Sequence, residues 1–114
     1  MNNLEARRER FLRDSLQIRL GGLAANLARI GSFAKNPTNL QAVKNLVAES
    51  KFFIEWTAQE AEIEKSFELV NLQINLALLE RELNKNWKDD ESRENIGRRA
   101  KEWSKQVLLN SGLI

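Results

Sequence analysis

The chain has 114 residues, of which 42% are hydrophobic and 30% are charged. These proportions are typical of a single globular domain and exclude the apolar-poor, highly charged composition of disordered proteins. The formal net charge is only +2, which by itself does not indicate a polyanionic partner.

The first predicted helix covers about residues 4–35. Apolar residues recur there at spacings of three and four, which is the heptad pattern of helices that pair with one another. These residues, called the leucine seam below, are Leu12, Leu16, Leu20, Leu23, Leu27, Ile30 and Ala34. Small residues beside the seam, including Gly21, Gly22 and Gly31, predict a close helix crossing, within the chain or between copies, or a local kink.

The second predicted helix covers about residues 38–87. Pro37 ends the first helix, since it disfavours a helical conformation at Asn36. We expect the second helix to be continuous or kinked, because a tight reversal without Gly, Asn or Asp lacks the usual turn residues. The alternative is a break near residue 57, where Thr57 and Glu60 have the spacing of a capping box and the apolar phase shifts.

The last predicted helix covers about residues 91–110. A polar run over residues 84–90, interrupted by Trp87, predicts the connection, and Asp89, Asp90 or Ser92 is the expected cap. Trp103 follows the apolar face and is expected to be buried. The sequence therefore predicts one all-α domain over residues 1–114, a long antiparallel helical hairpin or bundle of three to four helices.

A second copy of the chain is the expected partner. A continuous helix over residues 38–87 would be about 75 Å long, more than the first helix can cover. Two layers of helix bury little apolar surface. The surface left exposed would be covered most simply by the helices of a second copy, in a homodimer. The predicted interface consists of Leu16, Leu20, Leu23, Leu27, Ile30, Phe67, Val70 and Ile74. If the chain turns near Thr57, an intramolecular four-helix bundle closes the same surfaces within one molecule.

Basic residues near both ends of the chain give a second hypothesis, nucleic-acid binding. A folded-back layout would bring them together into a cationic surface. The candidate contacts are Arg7, Arg8, Arg10, Arg98, Arg99 and Lys101. Acidic residues are interleaved with them, and neither helix-turn-helix spacing nor alternating aromatic residues accompany them. Nucleic acid is therefore a less favoured partner than protein.

A Mg²⁺-dependent helical enzyme is the third and least favoured hypothesis. Glu60, Glu64 and Glu68 would share one helical face, which is either solvated, paired with Arg19 and Arg29, or a cation site. The chain lacks the Glu-Glu-x-x-Glu motif that helical nucleotide pyrophosphohydrolases share, and the Glu-x-x-His pairs of di-iron bundles. We therefore predict no metal and no cofactor.

Cysteine and histidine are both absent. The usual general bases and nucleophiles are thereby reduced to carboxylates, lysine and serine, and no motif joins a serine to a base. We predict no catalytic residues and no enzymatic activity. The chain has no disulfides, no signal segment and no long apolar run. These features predict a cytoplasmic protein that does not enter a membrane.

Short motifs in the second half of the chain resemble known sequences. They are Ile54-Glu55-Trp56, Trp103-Ser104 and Ser111-Gly112-Leu113. This part is similar to uncharacterised small all-helical proteins of cyanobacteria. The resemblance implies a helical fold and no function. Our first hypothesis is a cytoplasmic helical interaction or assembly module that self-associates.

Overall fold

A computed structural model of the protein describes residues 3–112. Over that range the chain forms five α-helices and one short 3-10 helix. They are α1 (Asn3–Leu12), α2 (Leu16–Phe33), the 3-10 helix Pro37–Asn39, α3 (Leu40–Ala58), α4 (Ile63–Asn86) and α5 (Asp90–Ser111). None of the described residues lies in a strand. The predicted all-α class is therefore confirmed, with one helix more than the largest number expected.

The continuous helix predicted over residues 38–87 is wrong, because the chain reverses between α3 and α4. The backbone N–H of Glu60 donates to the carbonyl of Thr57 and closes a tight turn. Thr57 is buried in α3, and Glu62 holds the position before α4 without a side-chain cap. The buried Arg19 of α2 pairs with Glu60 and ties this turn to the bundle. The alternative of a break near Thr57 is the one observed.

The single helix predicted over residues 4–35 is also divided, at residues 13–15. The hydroxyl of Ser15 accepts a hydrogen bond from the backbone N–H of Ile18 and so caps α2. Helix α1 folds back against α3, where the rings of Phe11 and Phe53 stack with their centroids 4.2 Å apart. This aromatic contact stabilises α1 on the bundle. Leu12 consequently belongs to α1 and does not continue the leucine seam of α2.

Helices α2 to α5 form an antiparallel bundle in which α5 closes against α2. Hydrogen bonds and ion pairs join each helix to the next, and the α2 and α5 helices pack most extensively. The core contains most of the leucine seam together with apolar residues of the other three helices. Its fully buried large side chains include Leu23, Leu27, Ile30, Ile54, Leu76, Leu79, Leu83 and Ile96. One molecule therefore closes its own core.

Helices α2 and α5 approach most closely where two glycines meet. A Cβ atom added to Gly97 would lie 2.9 Å from the carbonyl oxygen of Gly31, and one added to Gly31 would lie 3.0 Å from that of Gly97. Further along the same pair, the hydroxyl of Ser104 donates to the carbonyl of Ala24 at 2.7 Å. The close crossing predicted from the small residues is thus present at Gly31, and it is an intrachain contact.

Trp87 joins the connections at the opposite end of the bundle from the α3–α4 turn. Its indole N–H donates to the carbonyl of Pro37 at 2.7 Å, and the buried Arg93 donates to the carbonyl of Trp87 at 2.6 Å. Asp89 caps α5 and is one of the three residues predicted for that role. Hydrogen bonds from the side chain and backbone of Ser92 stabilise the carboxylate of Asp89 and lower its pKa.

Substitution of Gly97 by alanine tests the helix crossing. In Gly97→Ala the new methyl group meets the backbone of α2, so we expect the free energy of unfolding to fall by about 1–3 kcal/mol. In the matched control Gly22→Ala, the added Cβ has no atom within 4 Å among residues 3–112, apart from its chain neighbours and the backbone of its own helix. Higher helix propensity should then raise the free energy of unfolding by about 0.5–1 kcal/mol. Urea denaturation measures both, and equal stability of the two variants would contradict the crossing.

Candidate interaction surface

Helix α4 is apolar on two opposite sides. Its inner side is buried in the bundle and consists of Leu69, Leu72, Leu76, Leu79 and Leu83. Its outer side, called the outer stripe below, consists of Ile63, Phe67, Val70, Ile74 and Leu78. These five side chains are between 41% and 77% exposed. At 3.6 residues per turn, the two sets lie about half a turn apart around the helix axis.

The outer stripe has the spacing of a helix that pairs with another helix. Its members follow one another at intervals of four, three, four and four residues, close to the heptad pattern. A helix on the surface of a monomeric domain normally carries polar residues on the side away from the core. A contiguous exposed apolar patch instead marks an interaction surface.

Charges of opposite sign lie at the two ends of the outer stripe. Glu62 and Glu64 lie at its beginning, and Arg81 and Lys85 follow its end; all four are exposed. None of these four side chains takes part in the ion pairs found among residues 3–112. They are available to charges on another molecule.

The structure divides the predicted interface into two parts. Leu20, Leu23, Leu27 and Ile30 are at most 4% exposed and lie in the core of a single chain, and Leu16 is half-buried beside them. Four of the five predicted interface residues of α2 therefore lie in the core of the single chain.

The remaining three predicted interface residues lie together on the outer stripe. Phe67 is 68% exposed, Ile74 is 54% exposed and Val70 is 41% exposed. Ile63 and Leu78 extend the same side of α4 and are absent from the predicted set. Their helical spacing from Phe67 and Ile74 is the signal that identifies them.

The three glutamates predicted to share a helical face do not do so. Glu60 lies in the turn before α4 and pairs with Arg19, whereas Glu68 of α4 accepts a hydrogen bond from the side-chain amide of Asn110 at 2.7 Å. The guanidinium of Arg29 donates to Asn26 rather than to this acidic set. Across residues 3–112, no three acidic side chains are placed to hold a metal ion together.

The basic residues predicted to bind nucleic acid are distributed over different helix pairs. Arg7 of α1 pairs with Glu49 of α3, and Arg8 and Arg10 are exposed on α1. Arg99 of α5 pairs with a carboxylate of α4 at 2.7 Å.

The two other predicted contacts, Arg98 and Lys101, line a shallow groove between α2 and α5. That groove also contains the carboxyl groups of Asp90, Glu94 and Glu102. Its cationic character is therefore partly cancelled. The structure does not bring the six predicted residues into one cluster.

No protein-family model matches the chain, and neither a curated protein nor a solved structure matches it significantly. The resemblance to small cyanobacterial proteins stays a prediction. Among the described helices, none combines the length and the apolar character needed to cross a lipid bilayer.

Two substitutions in α4 distinguish its outer side from its inner side. Phe67→Ser removes an exposed ring, so we expect the free energy of unfolding of the monomer to change by less than about 0.5 kcal/mol. Leu76 is fully buried, and Leu76→Ala should lower the free energy of unfolding by about 2–5 kcal/mol. Urea denaturation in dilute solution measures both values. If Phe67→Ser lowered the free energy of unfolding as much as Leu76→Ala does, the ring of Phe67 would be buried in the monomer.

Proposed function

We propose that the chain is a small cytoplasmic interaction module in which two copies pair along the outer stripe of α4. The exposed apolar side chains opposite the core support this proposal most directly. Their contact with a second stripe removes apolar surface from water, which contributes about 25 cal/mol per Å² buried. The absence of cysteine supports a reducing compartment.

The charges at the ends of the outer stripe favour antiparallel pairing. A two-fold axis near Val70 superimposes the apolar parts of the two stripes. The acidic end with Glu62 and Glu64 then lies close to the basic end with Arg81 of the second copy, once at each end of the contact. Parallel pairing would instead place like charges side by side, which weakens association. A self-complementary contact of this type is typical of two-fold dimers.

Pairing of this kind joins molecules that are already folded. Each chain closes its own core through α2 to α5, so dimerisation is not needed for folding. The dissociation constant is then set by the outer stripe and its flanking charges. Such reversible association suits an adaptor or assembly factor that brings two copies of its other surfaces together.

Replacement of Ile74 by glutamate tests the apolar contact. The two-fold axis places every substitution in the interface twice, so we expect the dissociation constant of the dimer to rise at least about 100-fold. The matched control is Leu109→Glu on α5, because Leu109 is 65% exposed but lies outside the stripe. Sedimentation equilibrium measures both dissociation constants. A wild-type chain that stays monomeric at high micromolar concentration would overturn the proposal.

Reversal of the end charges tests the antiparallel orientation. Glu64→Lys and Arg81→Glu each place like charges together, so each should raise the dissociation constant by about tenfold. The double variant restores opposite charges and should return the dissociation constant towards that of the wild type. If the double variant had a dissociation constant higher than that of either single variant, this arrangement of the two helices would be excluded, even if the chain dimerises.

A further inference from the structure

A groove of about 400 Å³ opens between α4 and α5, beside the outer stripe but separate from its members. Leu20, Leu69, Leu72 and Val107 form its apolar floor, and Trp103 contributes an aromatic side chain. The ring of Trp103 is only half-buried, which corrects the prediction that it lies in the core. Its partial exposure is a consequence of the groove.

The groove exists because α4 and α5 pack less closely than the other neighbouring pairs of the bundle. Carboxamide side chains line its opposite sides: Asn71 and Asn75 on α4, and Gln106 and Asn110 on α5. Polar groups at these positions retain water and do not draw the helices together as apolar residues would.

Two side-chain contacts join the two helices. The guanidinium of Arg99 pairs with Glu82 at 2.7 Å, and the amide of Asn110 donates to Glu68 at 2.7 Å. Both contacts cross from α5 to α4, and the second lies within the groove lining, so the amide of Asn110 is already engaged there. The groove is therefore a feature of the folded bundle and does not depend on association with a second copy.

We propose that this groove binds a neutral, planar heteroaromatic molecule of the nucleobase or nucleoside class. Trp103 lines the groove, with the guanidinium of Arg99 6.0 Å from the centroid of its ring, and an indole is a side chain on which an aromatic ring can stack. Carboxamides both donate and accept hydrogen bonds, as the edges of nucleobases do. The volume lies within the range of small-molecule sites, which occur between helices of bundles.

The charges at the rim favour a neutral ligand. Lys65 and Glu68 both line the groove, so its cationic and anionic groups balance. An anionic ligand would meet the carboxylate of Glu68, and a long aliphatic ligand would leave the carboxamides without hydrogen-bonding partners. Both are therefore expected to bind less well than a neutral heteroaromatic molecule.

The tryptophan side chains provide the readout for a binding experiment. We would titrate the ¹⁵N-labelled chain with adenosine and follow the indole N–H resonances, assigning that of Trp103 with Trp103→Phe. Trp103 should shift saturably, whereas Trp56 and Trp87 lie outside the groove and should not. Cyclohexanol and adenosine monophosphate, the aliphatic and the charged comparison, should bind at least about tenfold more weakly.

A pair of variants on α4 locates the binding. Asn75→Phe places a bulky ring over the groove and should weaken adenosine binding at least about tenfold. Asn84→Phe is the matched control, because Asn84 is exposed on the same helix but does not line the groove, and it should bind adenosine as the wild type does. The absence of a Trp103 shift at millimolar adenosine, an equal response to cyclohexanol, or an unchanged affinity in Asn75→Phe would each overturn the proposal.

The same titration in Ile74→Glu separates this inference from the proposed dimer. Ile74 belongs to the outer stripe and does not line the groove. Adenosine should therefore bind to this variant with the affinity of the wild type, whether or not the wild type dimerises. Loss of binding in Ile74→Glu would show that the groove is not a property of the single chain and would contradict the inference.

Discussion

The reversal of the chain between α3 and α4 determines the position of both sides of α4 and of the groove between α4 and α5. It returns the leucines of α4 to the core and leaves the outer stripe on the opposite side, in solvent. The buried guanidinium of Arg19 supports this reversal from two directions. It pairs with Glu60, and its Nε–H donates to the carbonyl of Asp14 at 3.1 Å. One side chain thus connects the α3–α4 turn with the α1–α2 turn. A charge so deeply buried requires such partners.

The helices were largely predictable from the sequence, but the α1–α2 turn was not, and the α3–α4 turn was predicted only as the alternative to a continuous helix. Proline marks the end of the first helical region, and the cap at Asp89 marks the start of α5, because both act through neighbouring residues. The α3–α4 turn lacks Gly, Asn and Asp, and the arginine that stabilises it is 41 positions away in the sequence. The α1–α2 turn carries a local signal, the cap at Ser15, but the apolar spacing continues across it from Leu12. Periodicity alone therefore predicts one helix where tertiary contacts produce two.

For the candidate surfaces too, the periodicity of apolar residues does not identify the tertiary contacts. Heptad spacing occurs both in α2, where Leu23 and Leu27 are buried, and on the outer stripe, where Phe67 and Ile74 are exposed. Spacing indicates that a helix face needs a partner, but it does not say whether the partner lies in the same chain. Only the number of helices in the bundle decides this, and that number depends on the α3–α4 turn, which the sequence left as one of two alternatives. The groove was still less predictable, because it arises from the separation of α4 and α5.

The end charges of the outer stripe also determine which changes in the surroundings this surface can sense. The chain contains no histidine, so it has no side chain of the type that normally changes charge between pH 5 and 8. The stripe has two glutamates at one end and an arginine and a lysine at the other, all four of them exposed. Ionic strength does affect them, because mobile ions screen exposed charges beyond about 8 Å at physiological salt. A contact between stripes whose end charges attract would therefore weaken as the ionic strength rises, as it does under osmotic stress, which concentrates the ions around the protein.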